Sequence, residues 1–323
     1  MKKLVFLIFC LFFISCGGGG SENVSSSEES YAQPGDFTFS LLIDGLNRTY
    51  LVHVPQNYSL SQSHPVIFAL HGGGGSAEKM VELTKGGFNA ISEREKVLVV
   101  YPNAVENHWN DGRNLDIYYS QRENVDDVKF ISSLIDWCTE KYKIDLKRVY
   151  ITGFSNGALM SFRLISDLGH RIAAAAPVCG SISETFYPLF NTENPVNTLI
   201  INGEEDPLIP WAGGDITFGD LELGSVLPIE QVFGFLATSY NCSSYSPREY
   251  LPDTVDDGTK VWKEAYTLCD KNVSIILCGI EGGGHNWPSG DSYFPESVVG
   301  AICYDIDGSE FIWDFFKDKV KTY

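Results

Sequence analysis

The sequence predicts a three-layer α/β domain, in which a mostly parallel central sheet carries helices on both faces. Short apolar runs alternate along the chain with segments of helical periodicity. Each predicted strand is a nearly continuous apolar run, which is typical of strands buried on both faces of a parallel sheet. The 323 residues are 44% hydrophobic and 20% charged, a composition that suits one large globular core.

The predicted elements follow in this alternating order. Strands are predicted at residues 37–43, 49–54, 65–70, 97–102, 148–152, 172–178, 197–202 and 274–280, and helices at residues 77–95, 126–142, 156–168 and near the C-terminus. Two long polar stretches, residues 103–124 and 204–258, interrupt the pattern. Because long loops in compact domains are often lids or binding loops, we interpret both stretches as facing a substrate.

The first residues are typical of an export signal. Lys2 and Lys3 precede an 11-residue apolar run, Leu4 to Ile14, which is shorter than the roughly 20 residues that span a bilayer. "FISC", ending at Cys16, resembles a bacterial lipoprotein cleavage box, and an ordinary secretory signal is the alternative. We predict a signal peptide over residues 1–15, a lipidated flexible tether over 16–36 and a catalytic domain over 37–323. The protein is then an exported, membrane-anchored lipoprotein, periplasmic or on the cell surface.

Charge argues against a nucleic-acid partner. The formal net charge is −19, from 42 acidic and 23 basic residues, and no lysine or arginine cluster is present to follow a phosphate backbone.

Cysteine usage agrees with export. Once Cys10 and Cys16 are set aside, an even number remains, which permits disulfides outside the cytosol. Spacing alone does not choose among the pairings of Cys138, Cys179, Cys242, Cys269, Cys278 and Cys303. No CxxC pair or Cys/His cluster has zinc-site spacing, so we predict no metal.

The segment "YITGFSNGAL" places Ser155 between Gly153 and Gly157, after a predicted strand and before a predicted helix. A tight strand-to-helix turn needs small flanking residues, and it exposes the apex serine at the sheet edge. The pattern predicts a nucleophilic serine, which needs a base, an acid to orient the base and donors for an oxyanion.

His285 is the predicted base, because "GIEGGGHNWP" follows the last core strand and its glycines let the chain turn inward. The acid is expected on a loop after a strand between the serine and the histidine. Asp206 in "INGEEDPLIPW" fits best. Glu204, Glu205, Asp215 and Asp220 are the alternatives.

The glycine-rich segment "LHGGGGS" offers backbone N–H groups after a strand. Gly73 is the preferred first oxyanion donor, with Gly72 or Gly74 as alternatives, and the backbone N–H of Asn156 is the second. His71 in the same segment is interpreted as a structural histidine.

Aromatic residues suggest a substrate platform. Trp109 and Trp211 lie on the long polar stretches, and Trp287 lies two residues after His285. These tryptophans are predicted to bind a phenolic acyl group or a sugar ring, with packing against the core as the alternative.

Seven segments together resemble the secreted polyhydroxybutyrate depolymerase and feruloyl esterase branch of the α/β-hydrolases. They are "LHGGGGS", "VYPNAVENHW", "VDDVKFI", "RVYITGFSNGALMSF", "AAAAPVCG", "INGEEDPLIPW" and "IEGGGHNWP". The resemblance implies an α/β-hydrolase fold, ester hydrolysis without a cofactor and a triad of Ser155, Asp206 and His285. It also implies a disulfide between Cys242 and Cys269.

These observations predict a serine esterase that acts on small-molecule or polysaccharide-linked esters. The aromatic loops favour feruloyl or acetyl esters of plant polysaccharide over hydroxybutyrate oligomers. A hydrolase-fold binding lipoprotein with an idle triad and an acyl transferase are the other hypotheses.

Overall fold

The computed structural model describes residue 31 and residues 33–322. Its strands are β1 (Gly35–Ile43), β2 (Leu46–Val54), β3 (His64–Leu70), β4 (Leu98–Pro102), β5 (Ile144–Phe154), β6 (Ala174–Val178), β7 (Asn197–Gly203), β8 (Gly214–Phe218), β9 (Leu221–Val226), β10 (Ser244–Tyr250), β11 (Lys260–Thr267) and β12 (Ile275–Glu281). Its helices are α1 (Ala77–Leu83), α2 (Gly87–Glu95), α3 (Tyr119–Arg122), α4 (Asp127–Tyr142), α5 (Asn156–Leu168), α6 (Ile229–Ser239), α7 (Glu296–Val299) and α8 (Gly308–Phe316).

A ten-stranded sheet forms the middle layer, in the order β1-β2-β4-β3-β5-β6-β7-β12-β11-β10. The central strands from β4 to β12 pair in parallel, whereas both edges pair antiparallel. β8 and β9 form a separate antiparallel hairpin. The predicted mostly parallel sheet is therefore confirmed, and the carboxyl ends of its parallel strands meet at one edge.

Helices cover both faces of the sheet, as β3 illustrates. Val66, Phe68 and Leu70 pack into a core with residues of α4, α5 and α6. Ile67 and Ala69 point the other way, into a second core with residues of α1, α2 and α8. Because alternate residues of a strand face opposite sides, a continuous apolar run buries both faces at once. The predicted three layers are confirmed.

The predicted helix over residues 77–95 is wrong in one respect, because the chain forms two helices there. Lys85 and Gly86 have φ values of 51° and 67°, and this left-handed backbone ends α1 and starts α2 in a new direction. Gly87 then lies so close to α8 that an added Cβ would be 2.5 Å from Ser309 Oγ.

The interpretation of residues 204–258 as a long loop is also wrong over much of its length. The stretch contains the β8–β9 hairpin, helix α6 and edge strand β10, and β11 follows it. The apolar face of α6 includes Val232, Phe233 and Leu236, which are buried in the core. Polar segments on either side obscure this helical period in the sequence.

A disulfide joins Cys242, just after α6, to Cys269, just after β11, as the family resemblance implies. The other described cysteines are buried free thiols: Cys138, Cys179, Cys278 and Cys303.

The predicted signal peptide and the lipidation site Cys16 lie outside the described residues, as does most of the predicted tether. β1 begins at Gly35, two residues before the predicted start of the catalytic domain. None of the helices formed by residues 33–322 combines the length and the apolarity that crossing a membrane requires.

Candidate active site

Ser155 stands at the sharp turn between β5 and α5. Its backbone has φ 55° and ψ −119°, a region that non-glycine residues rarely occupy. A Cβ on Gly153 would lie 2.2 Å from the Gly157 carbonyl oxygen, and a Cβ on Gly157 would lie 2.5 Å from the Leu70 carbonyl oxygen. Both flanking positions therefore require glycine, as the sequence pattern indicates.

A cleft of about 720 Å³ opens at Ser155. Its lining includes the loop that follows β3, residues 71–75, and His285 from the segment after β12. The cleft thus lies at the carboxyl ends of the parallel strands, where open α/β sheets bind their ligands.

Asp206 and His285 form a buried pair beside the serine. His285 Nδ1 lies 2.6 Å from Asp206 Oδ2, and the two side chains are only 2% and 0% exposed. The other oxygen of Asp206 accepts hydrogen bonds from the backbone N–H groups of Leu208 and Ile209, each at 2.8 Å. The carboxylate is fixed from both sides, and it can hold the imidazole with Nε2 free to accept a proton.

The alternative acids lie elsewhere. Glu204 accepts a hydrogen bond from Trp262 Nε1 at 2.6 Å, and Glu205, Asp215 and Asp220 are exposed. Among the predicted acids, Asp206 is the one that the structure pairs with His285.

Ser155 and His285 line the same cleft, and the ring of Phe154, the residue before Ser155, lies 5.0 Å from the imidazole, centroid to centroid. The described residues contain no hydrogen bond between Ser155 Oγ and His285. Hydrogen bonds of this kind are often long without substrate and tighten in the substrate complex.

The glycine loop approaches the serine turn closely. A Cβ on Gly72 would lie 3.4 Å from Ser155 Cβ, and one on Gly73 would lie 3.6 Å from Asn156 Cβ. The N–H of Gly74 donates to the Asn107 carbonyl at 2.9 Å, so it is engaged within the protein. Gly73 and Gly72 thus stay as possible oxyanion donors of this loop.

His71 is a buried structural histidine. Its Nε2 accepts from the Ala104 N–H at 3.1 Å, and its Nδ1 donates to the Gly72 carbonyl at 2.7 Å. Burial lowers the pKa of His71 to about 4, because desolvation disfavours the charged imidazolium. The ring is neutral at pH 7 and braces the glycine loop.

The structure does not place the predicted tryptophan platform in the cleft. Trp109 and Trp287 are 0% and 1% exposed, and Trp109 Nε1 donates to the His71 carbonyl at 2.9 Å. Trp211 packs edge-on against Trp262, with the ring centroids 5.7 Å apart. Their size and apolarity place these residues in packing roles, and the cleft is lined by other aromatic side chains.

The aromatic residues of the cleft come from several loops. His108 stacks on Tyr118 with the centroids 3.8 Å apart. Phe218, in the β8–β9 hairpin, approaches Phe294 at 5.6 Å, and Tyr293 lies next to it. Phe218, Tyr293 and Phe294 are not among the residues predicted from the sequence. For Tyr293 and Phe294, "SYFP" shortly after His285 was the available indication.

Two clusters among residues 33–322 bring three possible metal ligands within 4.8 Å of one another: Cys179 with Asp206 and His285, and Asp257 with Cys303 and Asp305. In the first, the carboxylate and the imidazole are hydrogen bonded to each other. In the second, both carboxylates accept backbone N–H groups.

Part of this chain matches a known protein family. Residues 57–218, just over half of the chain, match the family described as Phospholipase/Carboxylesterase. The chain belongs to this family. This member is a carboxylic ester hydrolase with the predicted α/β-hydrolase fold.

Relatives agree with the assignment. "Putative esterase NocK" of Nocardia uniformis subsp. tsuyamanensis is 28% identical over 285 residues, which cover 85% of this chain and 80% of the relative. The bifunctional acetylxylan esterase/xylanase XynS20E of Neocallimastix patriciarum is 25% identical over 76% of this chain, but the match spans only 32% of that relative. Other relatives are named feruloyl esterases.

A solved acetyl xylan esterase from Aspergillus awamori shares the fold. It superposes with a TM-score of 0.55 and 14% identity, covering 87% of this chain and 99% of its own.

Proposed function

We propose that this carboxylesterase works through an acyl-enzyme formed on Ser155, with His285 as the base and Asp206 as the residue that orients it. The observation that carries the proposal is the buried 2.6 Å contact between His285 Nδ1 and Asp206, in the wall of the cleft that Ser155 also lines.

In the acylation step, His285 Nε2 takes the proton of Ser155 while Oγ attacks the ester carbonyl carbon. Asp206 accepts the Nδ1–H, which fixes the tautomer and stabilises the imidazolium that forms. The tetrahedral intermediate collapses as His285 returns the proton to the departing alcohol. Water then attacks the acyl-enzyme by the same proton route and releases the acid.

The negative oxygen of the intermediate needs preorganised donors. We assign this role to the backbone N–H groups of Gly73, in the loop after β3, and of Asn156, directly after Ser155. One donor of this kind is worth about 3 to 4 kcal/mol in the transition state. The N-terminus of α5 adds a favourable dipole at the same point.

We assign the substrates to feruloyl or acetyl esters of plant polysaccharide. Two observations support this class: relatives carry the names of acetylxylan and feruloyl esterases, and the cleft wall contains Tyr118, Phe218 and Phe294. Aromatic side chains stack favourably on a phenolic acyl group or on the apolar face of a sugar.

We also propose that the enzyme acts outside the cytoplasm, tethered by a lipid on Cys16 through residues 16–36 to the catalytic domain at 37–323. The sequence around Cys16 supports this. Expression of the full chain and of a Cys16→Ser variant tests it, since the variant should leave the membrane fraction. Equal membrane association of both chains would contradict the lipid anchor.

The catalytic proposal is tested with wild type, Ser155→Ala and Ser133→Ala. Ser133 lies on α4, where its hydroxyl donates to the Lys129 carbonyl, and it serves as the matched control. We expect Ser155→Ala to lose about 10⁴- to 10⁶-fold in kcat and to lose labelling by a fluorophosphonate, while Ser133→Ala keeps both.

The substrate classes are then ranked by the activity of wild type on four esters: methyl ferulate, acetylated xylan, a hydroxybutyrate trimer and 4-nitrophenyl acetate. Preference for the hydroxybutyrate trimer would overturn the assigned substrate class. Full activity in Ser155→Ala would overturn the mechanism. A labelled serine with no hydrolysis of any ester would indicate that transfer to another acceptor is the function. An unlabelled serine with no turnover would indicate an idle triad and binding alone.

A further inference from the structure

A buried carboxylate lies directly behind the serine turn. Asp111, in the loop between β4 and α3, has a side chain that is 0% exposed. It accepts hydrogen bonds from the backbone N–H and the Nε of Arg113, at 3.1 and 2.9 Å, and from Gln121 Nε2 at 3.3 Å. Arg113 Nη2 also pairs with it at 2.7 Å, so the buried charge is neutralised.

The shortest contact of Asp111 is with Asn156, whose side-chain Nδ2 donates to Asp111 Oδ2 at 2.6 Å. The other end of the same amide, Asn156 Oδ1, accepts the Trp109 N–H at 2.8 Å. Hydrogen bonds with an ionised partner are shorter and about twice as strong as neutral ones. The Asn156 side chain is therefore held at both ends by the loop of residues 109–111.

Asn156 is also the residue whose backbone N–H we assign as an oxyanion donor. The loop that holds its side chain reaches the other wall of the oxyanion site as well, because Trp109 Nε1 donates to the His71 carbonyl. One loop thus sets the position of the serine turn relative to the glycine loop. Displacing a reacting group by about 1 Å can cost about 100-fold in rate.

We propose that Asp111 is a positioning residue for catalysis, which fixes the oxyanion-binding N–H of Asn156 through the Asn156 side chain. The inference rests on the proposed acyl-enzyme function. Asp111 touches neither the substrate nor the reacting atoms. Its effect should therefore appear in the stabilisation of the transition state and not in the binding of the ester.

Asp111→Asn tests the proposal with little change of shape. Asparagine keeps one acceptor oxygen and replaces the other with an NH₂ group. In one orientation that group faces the Nδ2 donor of Asn156, and in the other it faces the backbone N–H of Arg113. In both, the negative charge that strengthens the clamp on Asn156 is lost. Asp127→Asn is the matched control, because Asp127 is 0% exposed. It pairs with Arg48 and accepts the Asn110 N–H at 2.7 Å, so it holds the same loop without touching Asn156.

The measurements are kcat and KM for 4-nitrophenyl acetate and the inhibition constant of phenylboronic acid, whose tetrahedral adduct on Ser155 places an oxygen in the oxyanion site. For Asp111→Asn we expect kcat to fall about 10- to 100-fold and the boronate to weaken by a similar factor, with KM within threefold. Asp127→Asn should lower the unfolding temperature and leave kcat and boronate affinity within threefold of wild type.

A double-mutant cycle separates positioning from general loosening. Asn156→Ala removes the clamped side chain but keeps the backbone N–H and the Asp111–Arg113 pair, so it serves as the test even if Asp111→Asn does not fold. We expect Asn156→Ala to lower kcat by a similar factor, and Asp111→Asn to add less than threefold in the Asn156→Ala background.

Three results would overturn the inference: kcat within threefold of wild type in folded Asp111→Asn or in Asn156→Ala, losses that multiply in the double variant, or an equal loss in Asp127→Asn. Failure of the proposed function looks different, because Ser155→Ala would then keep its esterase activity whatever Asp111→Asn does.

Discussion

Ser155 holds a backbone conformation that costs on the order of 1–3 kcal/mol, and its neighbours keep it there. Its N–H donates to the Val178 carbonyl at 3.0 Å, and its carbonyl accepts from Ala158 and Leu159 in the first turn of α5. The strained turn is held by β6 on one side and by the helix on the other. The hydroxyl is thereby presented at the edge of the sheet, where the cleft begins.

The same turn predicts the effect of a single methyl group. In Gly157→Ala the new Cβ would lie 2.5 and 2.6 Å from the carbonyl oxygens of Leu70 and His71. Because backbone on both sides would have to move, we expect a loss of about 3 kcal/mol or more in the free energy of unfolding. Urea unfolding monitored by tryptophan fluorescence measures this loss.

Gly234→Ala is the matched control. Gly234 lies inside α6 with no atom within 4 Å of an added Cβ, so alanine should stabilise the protein by up to about 1 kcal/mol. If Gly157→Ala were as stable as wild type, the turn would have room for a Cβ at residue 157, contrary to the close approach of the Leu70 and His71 carbonyl oxygens.

His71 makes stability depend on pH. Burial lowers the pKa of His71 to about 4 in the folded protein, against about 6.5 in the unfolded chain. Below pH 6.5 His71 binds a proton in the unfolded chain but not in the folded protein, so the free energy of unfolding falls as the pH drops from 6.5 towards 4. The loss in the free energy of unfolding reaches about 3 kcal/mol at about pH 4.

Urea unfolding of wild type and His71→Gln at pH 7 and pH 4 isolates this contribution, since the other titrating groups are common to both chains. Glutamine can replace Nε2 as the acceptor of the Ala104 N–H without titrating. We expect wild type to lose about 3 kcal/mol more than the variant. Equal losses would mean that His71 is protonated in the folded protein.

At this scale the sequence was informative where spacing reflects a steric requirement. The glycines around Ser155 indicated the turn, because close backbone approach excludes a side chain at Gly153 and Gly157. The tryptophans were misplaced for a different reason. Whether an indole lines a cleft or fills a core depends on loop paths, such as the one that aims Trp109 Nε1 at a buried carbonyl.

Among the elements, those with a clear apolar period were predictable and those built from mixed segments were not. The buried parts of the parallel strands are mostly apolar, and α4 and α5 match their predicted bounds within one residue. The β8–β9 hairpin was missed because its strands are short and bury only Ile216 and Val226. The order serine, acid, histidine was still sufficient to predict the Asp206–His285 pair.

The β8–β9 hairpin predicts where acyl specificity can change. Phe218 is 38% exposed, lines the cleft and lies across from Phe294. Removing an aromatic contact of this kind costs about 1 kcal/mol. We expect Phe218→Ala to raise KM for methyl ferulate about fivefold and to leave KM for methyl acetate unchanged.

Leu189→Ala controls for loss of an exposed apolar side chain, since Leu189 is 71% exposed and lies outside the cleft. An equal change of KM for both esters in Phe218→Ala would argue that the hairpin shapes the cleft without contacting the acyl group.

Across the whole molecule, the two cores on opposite faces of one sheet leave the loops at its carboxyl edge free to build the cleft. The residues proposed for catalysis belong to neither core, although neighbours such as Phe154 and Trp287 pack in the second one. Substitutions at Ser155 or Asp111 can therefore be read as effects on the site, provided that unfolding is measured beside activity.

The net charge of −19 acts on the whole molecule and predicts how the enzyme discriminates by charge. At the cleft mouth, Lys79 pairs with Glu82 at 2.7 Å, so this lysine offsets little of the negative field. An anionic ester should be repelled at low salt and less so as the Debye length shortens from about 30 Å at 0.01 M to about 10 Å at 0.1 M. We expect kcat/KM for 4-nitrophenyl hemisuccinate to rise several-fold over that range, while kcat/KM for neutral 4-nitrophenyl acetate stays constant. A parallel rise for both esters would point to a salt effect on the enzyme itself. No rise for either would mean that local charges in the cleft, and not the net charge, set the field that a substrate meets.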